Sequence, residues 1–142
     1  MNPFQQQLTA LADQNSLVAI YVFGSRSREA AAQVQGESPA AGHSDADLDI
    51  GVQTGRGNRL DVHQKVALAQ ALEELFRVPR VDLVVCEEAP PFLAQEIVSG
   101  ELIHCTDPDA QAEFELYALR RAADLAPFAF ERRRMILEEG AR

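Results

Sequence analysis

Positive charge is scarce in this sequence. Thirteen Lys and Arg stand against 22 Asp and Glu, a formal net charge of -9. A protein that holds nucleic acid without regard to sequence needs a basic surface to displace counterions from phosphates. Duplex DNA or RNA is therefore a poor fit as main partner. A basic protein surface or a metal–nucleotide complex suits the chain better. Long apolar runs are missing too, and none approaches the ~18 residues that span a bilayer. The start, MNPFQQQLTALADQ, has neither a basic opening nor an apolar centre, so it does not read as a secretory signal. The chain has two cysteines, Cys86 and Cys105, without C-x-x-C or zinc-type histidine spacing. They read as reduced thiols in or near a core. Together these absences place the protein in the cytoplasm and away from membranes.

What is present is ordinary globular material. Of 142 residues, 46 % are apolar and 25 % charged. That length suits one domain over residues 1–142, since two would each be too small to bury a good core.

The patterning alternates. Residues 4–14 carry Phe4, Leu8, Leu11 and Ala12 at helical spacing. Residues 17–23 (LVAIYVF) are a continuous apolar run, which predicts a buried strand ending at Gly24-Ser25. A helix is expected over 26–35 and a flexible loop over 36–44 (GESPAAGHS). Residues 46–52 predict a second strand, with Leu48, Ile50 and Val52 on one face and Asp47 and Asp49 on the other. A broad apolar stripe over 60–76 predicts a helix that Pro79 ends. VDLVV at 81–85 predicts a third strand, 91–98 a helix opened by prolines, 101–104 a fourth strand. Asp107-Pro108 caps a long last helix, reaching about Glu138 with a bend at Pro127. This order implies an α+β fold, with a mixed four-stranded sheet packed by helices and a long C-terminal helix.

Three features carry chemistry. Gly24-Ser25 closes the first strand. Asp45, Asp47 and Asp49 alternate along the second, and Asp82 interrupts the third. Carboxylates in a row repel unless a cation neutralises them. Magnesium is the natural one, because it takes oxygen ligands and binds through one or two carboxylates plus substrate phosphates. Asp82 on a neighbouring strand would complete a site for two metals, which favours in-line phosphoryl displacement. Its place in an apolar strand predicts burial, where a lone carboxylate is rare. Gly24 would let the backbone approach a phosphate, Ser25 would add a hydroxyl donor, and Arg26 and Arg28 would balance triphosphate charge. Singly, a Gly-Ser turn or a strand-edge aspartate is ordinary structure. Their joint order on successive strands points to nucleotidyl transfer.

That order resembles the polymerase-β nucleotidyltransferase superfamily. "FGSRSR", then "SDADLDIGV" and "RVDLVV" look like its Gly-Ser, Asp-x-Asp and third-Asp motifs. Small size and the stretch "FLAQEIVSGELIHCTDPDAQAEFELYALRRAADL" are similar to the minimal nucleotidyltransferases, antitoxin partners of HEPN toxins. The resemblance implies a nucleotidyltransferase fold and two Mg²⁺ ions. It implies ATP as the AMP donor and a tyrosine of the toxin as acceptor, within a hetero-oligomer. By it, Asp47, Asp49 and Asp82 hold the metals and Gly24, Ser25 and Arg26 the triphosphate.

Two departures stand out. The spacer between Ser25 and Asp47 is 21 residues, about twice the family's usual length, with the excess assigned to a loop insertion over 30–42. Glu29 stands where the family usually has glycine. The Asp-x-Asp register has two readings, Asp47 with Asp49 or Asp45 with Asp47. The first is preferred, because Gly51 then takes the small position on the site face. Two other functions fit the chain less well: a steric, non-catalytic antitoxin, and an aminoglycoside-type transferase on small molecules. Arg132, Arg133 and Arg134 read first as a charged helix end and second as a partner-docking patch.

Overall fold

The computed structural model describes residues 1–37 and 47–140. Its elements are α1 (Pro3–Gln14), β1 (Leu17–Phe23), α2 (Ser27–Val34), β2 (Leu48–Thr54), α3 (Val62–Phe76), β3 (Val81–Val85), α4 (Pro91–Val98), β4 (Glu101–Cys105) and α5 (Pro108–Gly140). The four strands form one mixed sheet in the order β3-β2-β1-β4. β1 runs antiparallel to β2 and β4, and β2 runs parallel to β3.

β1 lies inside the sheet and is buried at all seven positions, as its unbroken apolar run requires. On one face Ile20, Val22, Leu48, Ile50 and Val52 pack under α1, α2 and α3. On the other, Tyr21 and Phe23 meet Ala94, Ile97 and Ala118 of α4 and α5. Side chains two apart share a face. Asp49, Gly51 and Gln53 are therefore assigned to the α4/α5 side, opposite Leu48, Ile50 and Val52.

Local chemistry sets the helix ends. Asn2 and Gln5 form a capping box on α1, and Asp61 and Gln64 form one on α3. The Asn2 side chain also donates to the Val34 carbonyl, and Gln33 donates to that of Phe76. These bonds tie the C-terminal end of α2 to α1 and α3. The stretch expected as an inserted loop over 30–42 thus starts as core helix, with Ala30 and Val34 buried. A 3₁₀ turn, Cys86–Glu88, follows β3 and was not legible in the pattern. α5 runs through Pro127 as one helix. It is anchored by its first turns: Gln53 donates to the Ala110 carbonyl and Gln111 to the Tyr21 hydroxyl. No helix among the described residues is long and apolar enough to cross a membrane.

Gly51 fixes how closely α4 seats on the sheet. A Cβ there would overlap Ile97 Cγ2, a fully buried atom set with no room to yield. The small residue expected on the site face is what lets Ile97 of α4 approach the sheet. Gly51→Ala should cost about 1–3 kcal/mol, as overpacking does. Urea unfolding at unchanged m-value measures it.

Candidate functional site

The end of β1 and the starts of β2 and β3 meet at one edge of the sheet. Phe23 pairs with Asp49, and Asp49 pairs with Asp82 in the parallel ladder. The two aspartates are thus neighbours on adjacent strands, on the face that α4 covers. Gly24 follows at once. Its φ of +79° is a left-handed conformation that glycine adopts freely. A Cβ there would stand 2.6 Å from Asp49 Oδ2, so the backbone runs directly against that carboxylate. Ser25 is exposed beside it, and the Ser27 amide closes the turn onto the Gly24 carbonyl at 3.3 Å.

Asp49 has its pKa raised. Burial is the largest cause, followed by the charges of Asp82, Glu96 and Asp47. It is a partly buried carboxylate facing three others, and a cation would stabilise its charged form. Asp82 is not buried as the apolar run predicts. Its side chain is 41 % exposed, because β3 is an edge strand. Asp47 lies one residue before β2 begins, so no ladder aligns it with Asp49 as a continuous strand would. Arg80 reaches both outer carboxylates, at 3.2 Å from Asp82 Oδ1 and 3.9 Å from Asp47 Oδ2. That guanidinium supplies the counter-charge for these two.

Among the described residues, no three carboxylates, histidines or cysteines form a group that could hold a metal by themselves. The donor set still fits magnesium, which rarely relies on an all-protein cage. Asp49 and Asp82, adjacent and all-oxygen, are the pair that would hold it, with Asp47 next to them. Asp45 lies outside the described residues.

Arg26 is placed differently from the expectation. Its side chain is only 12 % exposed and pairs with Glu29 at 3.6 Å. The glutamate that replaces a family glycine is thus the partner of the arginine expected at the triphosphate. Arg28 is the exposed basic residue of this turn.

Sequence reasoning missed Arg80 and Glu96. Arg80 had a signal, since it stands two residues before Asp82 and shares its side of an extended chain. Glu96 had none, because only the crossing of α4 brings its charge to Asp49.

Comparison with known proteins identifies the family and the fold. The family model "Polymerase beta, Nucleotidyltransferase" matches residues 6–109, a span that includes every residue of this site. No curated protein matches the sequence. A mutant MntA toxin–antitoxin crystal structure contains a chain 23% identical, with 100% of both chains covered and a TM-score of 0.67. A toxin–antitoxin structure with AMP-PNP gives 23% identity, 97% and 98% coverage of this chain and that one, and a TM-score of 0.65. A tri-AMPylated Shewanella oneidensis HEPN toxin in complex with MNT antitoxin gives 23% identity, 98% and 97% coverage and a TM-score of 0.62. These three share the fold. The match over residues 6–109 and the Gly24–Asp49–Asp82 edge together assign the chain: it belongs to the polymerase β nucleotidyltransferase family.

Proposed function

We propose that this protein is a cytoplasmic antitoxin that transfers AMP from Mg-ATP to a tyrosine hydroxyl of a cognate HEPN toxin and so silences it. The observation that carries this reading is the crowding at Asp49. Burial and three neighbouring carboxylates load one partly buried group with charge that nothing in the fold's own packing requires. The AMP-PNP complex and the tri-AMPylated toxin among proteins of the same fold support the donor and the acceptor class.

The chemistry balances simply. The acceptor oxygen bonds to the α-phosphorus, the bond from that phosphorus to the bridging oxygen of the β-phosphate breaks, and pyrophosphate leaves. Asp82, on the edge strand, receives the hydroxyl proton. Asp49 and Asp82, with Asp47, would hold magnesium, which when bound neutralises the triphosphate and stabilises charge on the leaving group. Gly24 and Ser25 offer a backbone and a hydroxyl to the phosphates, at an exposed turn. Catalysis of this kind is mostly positioning and charge neutralisation.

Capture of the toxin without catalysis is the second reading. The Arg80 bridge favours it, since the protein's own cation satisfies two carboxylates. Asp82→Asn separates the two. The change is nearly isosteric and removes an exposed ion pair to Arg80 worth about 0–1 kcal/mol. Relief of repulsion with Asp49 acts the other way, so the fold should be near neutral. Co-expressed with the toxin, the variant should still be pulled down with it but should no longer protect cells. Full protection by a variant shown to be inactive in AMP transfer would replace the enzyme with a steric antitoxin.

A further inference from the structure

The body of the protein covers only part of α5. Ala118 and Ala122 are buried, but every residue from 123 to 139 is exposed. At 1.5 Å per residue this is about 25 Å of helix that no element among the described residues covers. A helix end that merely projects into water should be polar all round. This one is not. Phe128 is 72 % exposed and Ile136 58 %, with Leu125 and Met135 beside them.

The exposed apolar residues have an order. Leu125, Phe128, Ala129, Met135 and Ile136 fall at i, i+3, i+4, i+10 and i+11, one stripe of a helix. The stripe extends the line of Phe114, Ala118 and Ala122, which the first half of α5 turns toward the body. A cavity of about 280 Å³ between α4, the 3₁₀ turn and α5 is lined by Phe114, Tyr117 and Ala118 of that same line. The apolar stripe therefore runs from a socket on the body along the projecting half of α5, with Arg132 set into it. Monomeric proteins rarely leave a contiguous apolar surface of several hundred Å² uncovered.

The charges say what covers it. Arg134 is held by Glu131 and Glu138 on the opposite side of the helix. Arg132 sits in the stripe at i+7, and Arg133 flanks it; among the described residues neither has a recorded ion pair. A second copy is a poor occupant. A two-fold packing that overlaps the whole stripe on itself, parallel or antiparallel, brings the two Arg132–Arg133 clusters within about one turn of each other. It would also join two chains of net charge -9. A different protein with an apolar groove and carboxylates at its rim suits both the stripe and its arginines.

We infer that residues 123–139 of α5 are the docking helix for the toxin, its apolar stripe lying in a groove of the toxin and Arg132 and Arg133 meeting carboxylates there. This rests on the antitoxin reading above and adds the surface that recognises the partner. The active-site edge is formed by β1, β2 and β3, so capture and chemistry use separate parts of the chain.

Calorimetric titration of purified toxin with wild-type protein, Phe128→Asp, Ile136→Asp and Arg132→Glu tests it. Phe130→Ser, on the other side of the helix, is the control. All four positions are exposed, so the melting temperature of the free protein should not change. Phe128→Asp and Ile136→Asp should weaken binding by roughly 100-fold or more, as loss of a central anchor does. Arg132→Glu should weaken it by about 10-fold or more and reduce its salt dependence, while Phe130→Ser should bind as the wild type does. If the wild type binds and the stripe variants bind equally well, the docking helix is wrong and the antitoxin reading stands. If the wild type does not bind the toxin, the antitoxin reading itself falls. A free protein that is dimeric by light scattering, and that Phe128→Asp makes monomeric, would give the stripe to a second copy and overturn the inference.

Discussion

Replacing Asp49 with Asn should abolish AMP transfer to the toxin while leaving the metal-free fold at least as stable as the wild type. The loss should exceed the roughly 100-fold that removing an outer-shell partner of a metal costs, because this carboxylate touches the Gly24 turn and neighbours Asp82 directly. The stability follows from linkage. Folding raises the pKa of Asp49, first through burial and then through Asp82, Glu96 and Asp47. The folded protein therefore binds that proton more tightly than the unfolded chain does. The stabilising contribution is present in full below the unfolded value of about 3.9 and is lost as pH rises through the raised folded value. Asn carries no such penalty. In EDTA, the melting temperature of Asp49→Asn relative to wild type should rise between about pH 4 and pH 7. Mg-ATP should reverse the ranking at neutral pH. A ligand at 100 times its Kd stabilises the native state by about 2.7 kcal/mol, and only the wild type should show that gain. Asp45→Asn, assayed beside it, should keep a measurable transfer rate. The opposite ranking of the two variants would move the metal pair to Asp45 and Asp47. A wild type whose melting ignores Mg-ATP would remove the nucleotide site altogether.

The sequence carried the sheet almost completely, because each strand is a short apolar or alternating run bounded by Gly, Pro or polar residues. β1 is apolar apart from the Tyr21 hydroxyl, which Gln111 satisfies, as a strand buried on both faces requires. The motif residues were also legible, since their order along the chain is the order of strand ends that meet at one edge. Their environments were not. Asp82 reads as buried because VDLVV is apolar, yet β3 is an edge strand, and edge position depends on strand order rather than local pattern. Arg26 reads as a phosphate ligand by its place after Gly-Ser, but Glu29 lies one helical turn on and takes its charge. Gly51 reads only as a small residue on the site face, and Ile97 of α4 is what needs it small. For Asp82 and Gly51 a long-range contact decided what the position meets, and no window of neighbouring residues contains it, whereas the Arg26–Glu29 pair is local and was open to reading. The projecting half of α5 shows the reverse. Its stripe is plain in the sequence, and only the structure reveals that the body ends before the stripe does.

Gly24→Ala should cost far more activity than stability, and Gly57→Ala should show why. Both glycines have left-handed backbones, with φ of +79° and +82°. An L side chain in that conformation costs roughly 1–2 kcal/mol, so the two variants should lose similar stability. They differ in what the new methyl meets. At Gly57 nothing lies within 4 Å, whereas at Gly24 the methyl would stand 2.6 Å from Asp49 Oδ2. Real Cβ atoms do not approach so closely, so either the turn or the carboxylate must move. β1 is buried throughout and held by ladders on both sides, so the strand end cannot retreat. The Asp49 carboxylate and the exposed Gly24-Ser25 backbone are the parts free to shift. Either movement separates the phosphate-facing turn from the metal-facing carboxylate. A misplacement of about 1 Å at a reacting centre costs on the order of 100-fold in rate. Transfer by Gly24→Ala should fall at least that far, with weaker stabilisation by Mg-ATP, while Gly57→Ala transfers AMP at the wild-type rate. Single-turnover transfer measured beside chemical denaturation of both variants tests the pair. Equal activity in the two would mean that the Gly24 turn is shaped for folding alone and takes no part in placing the nucleotide.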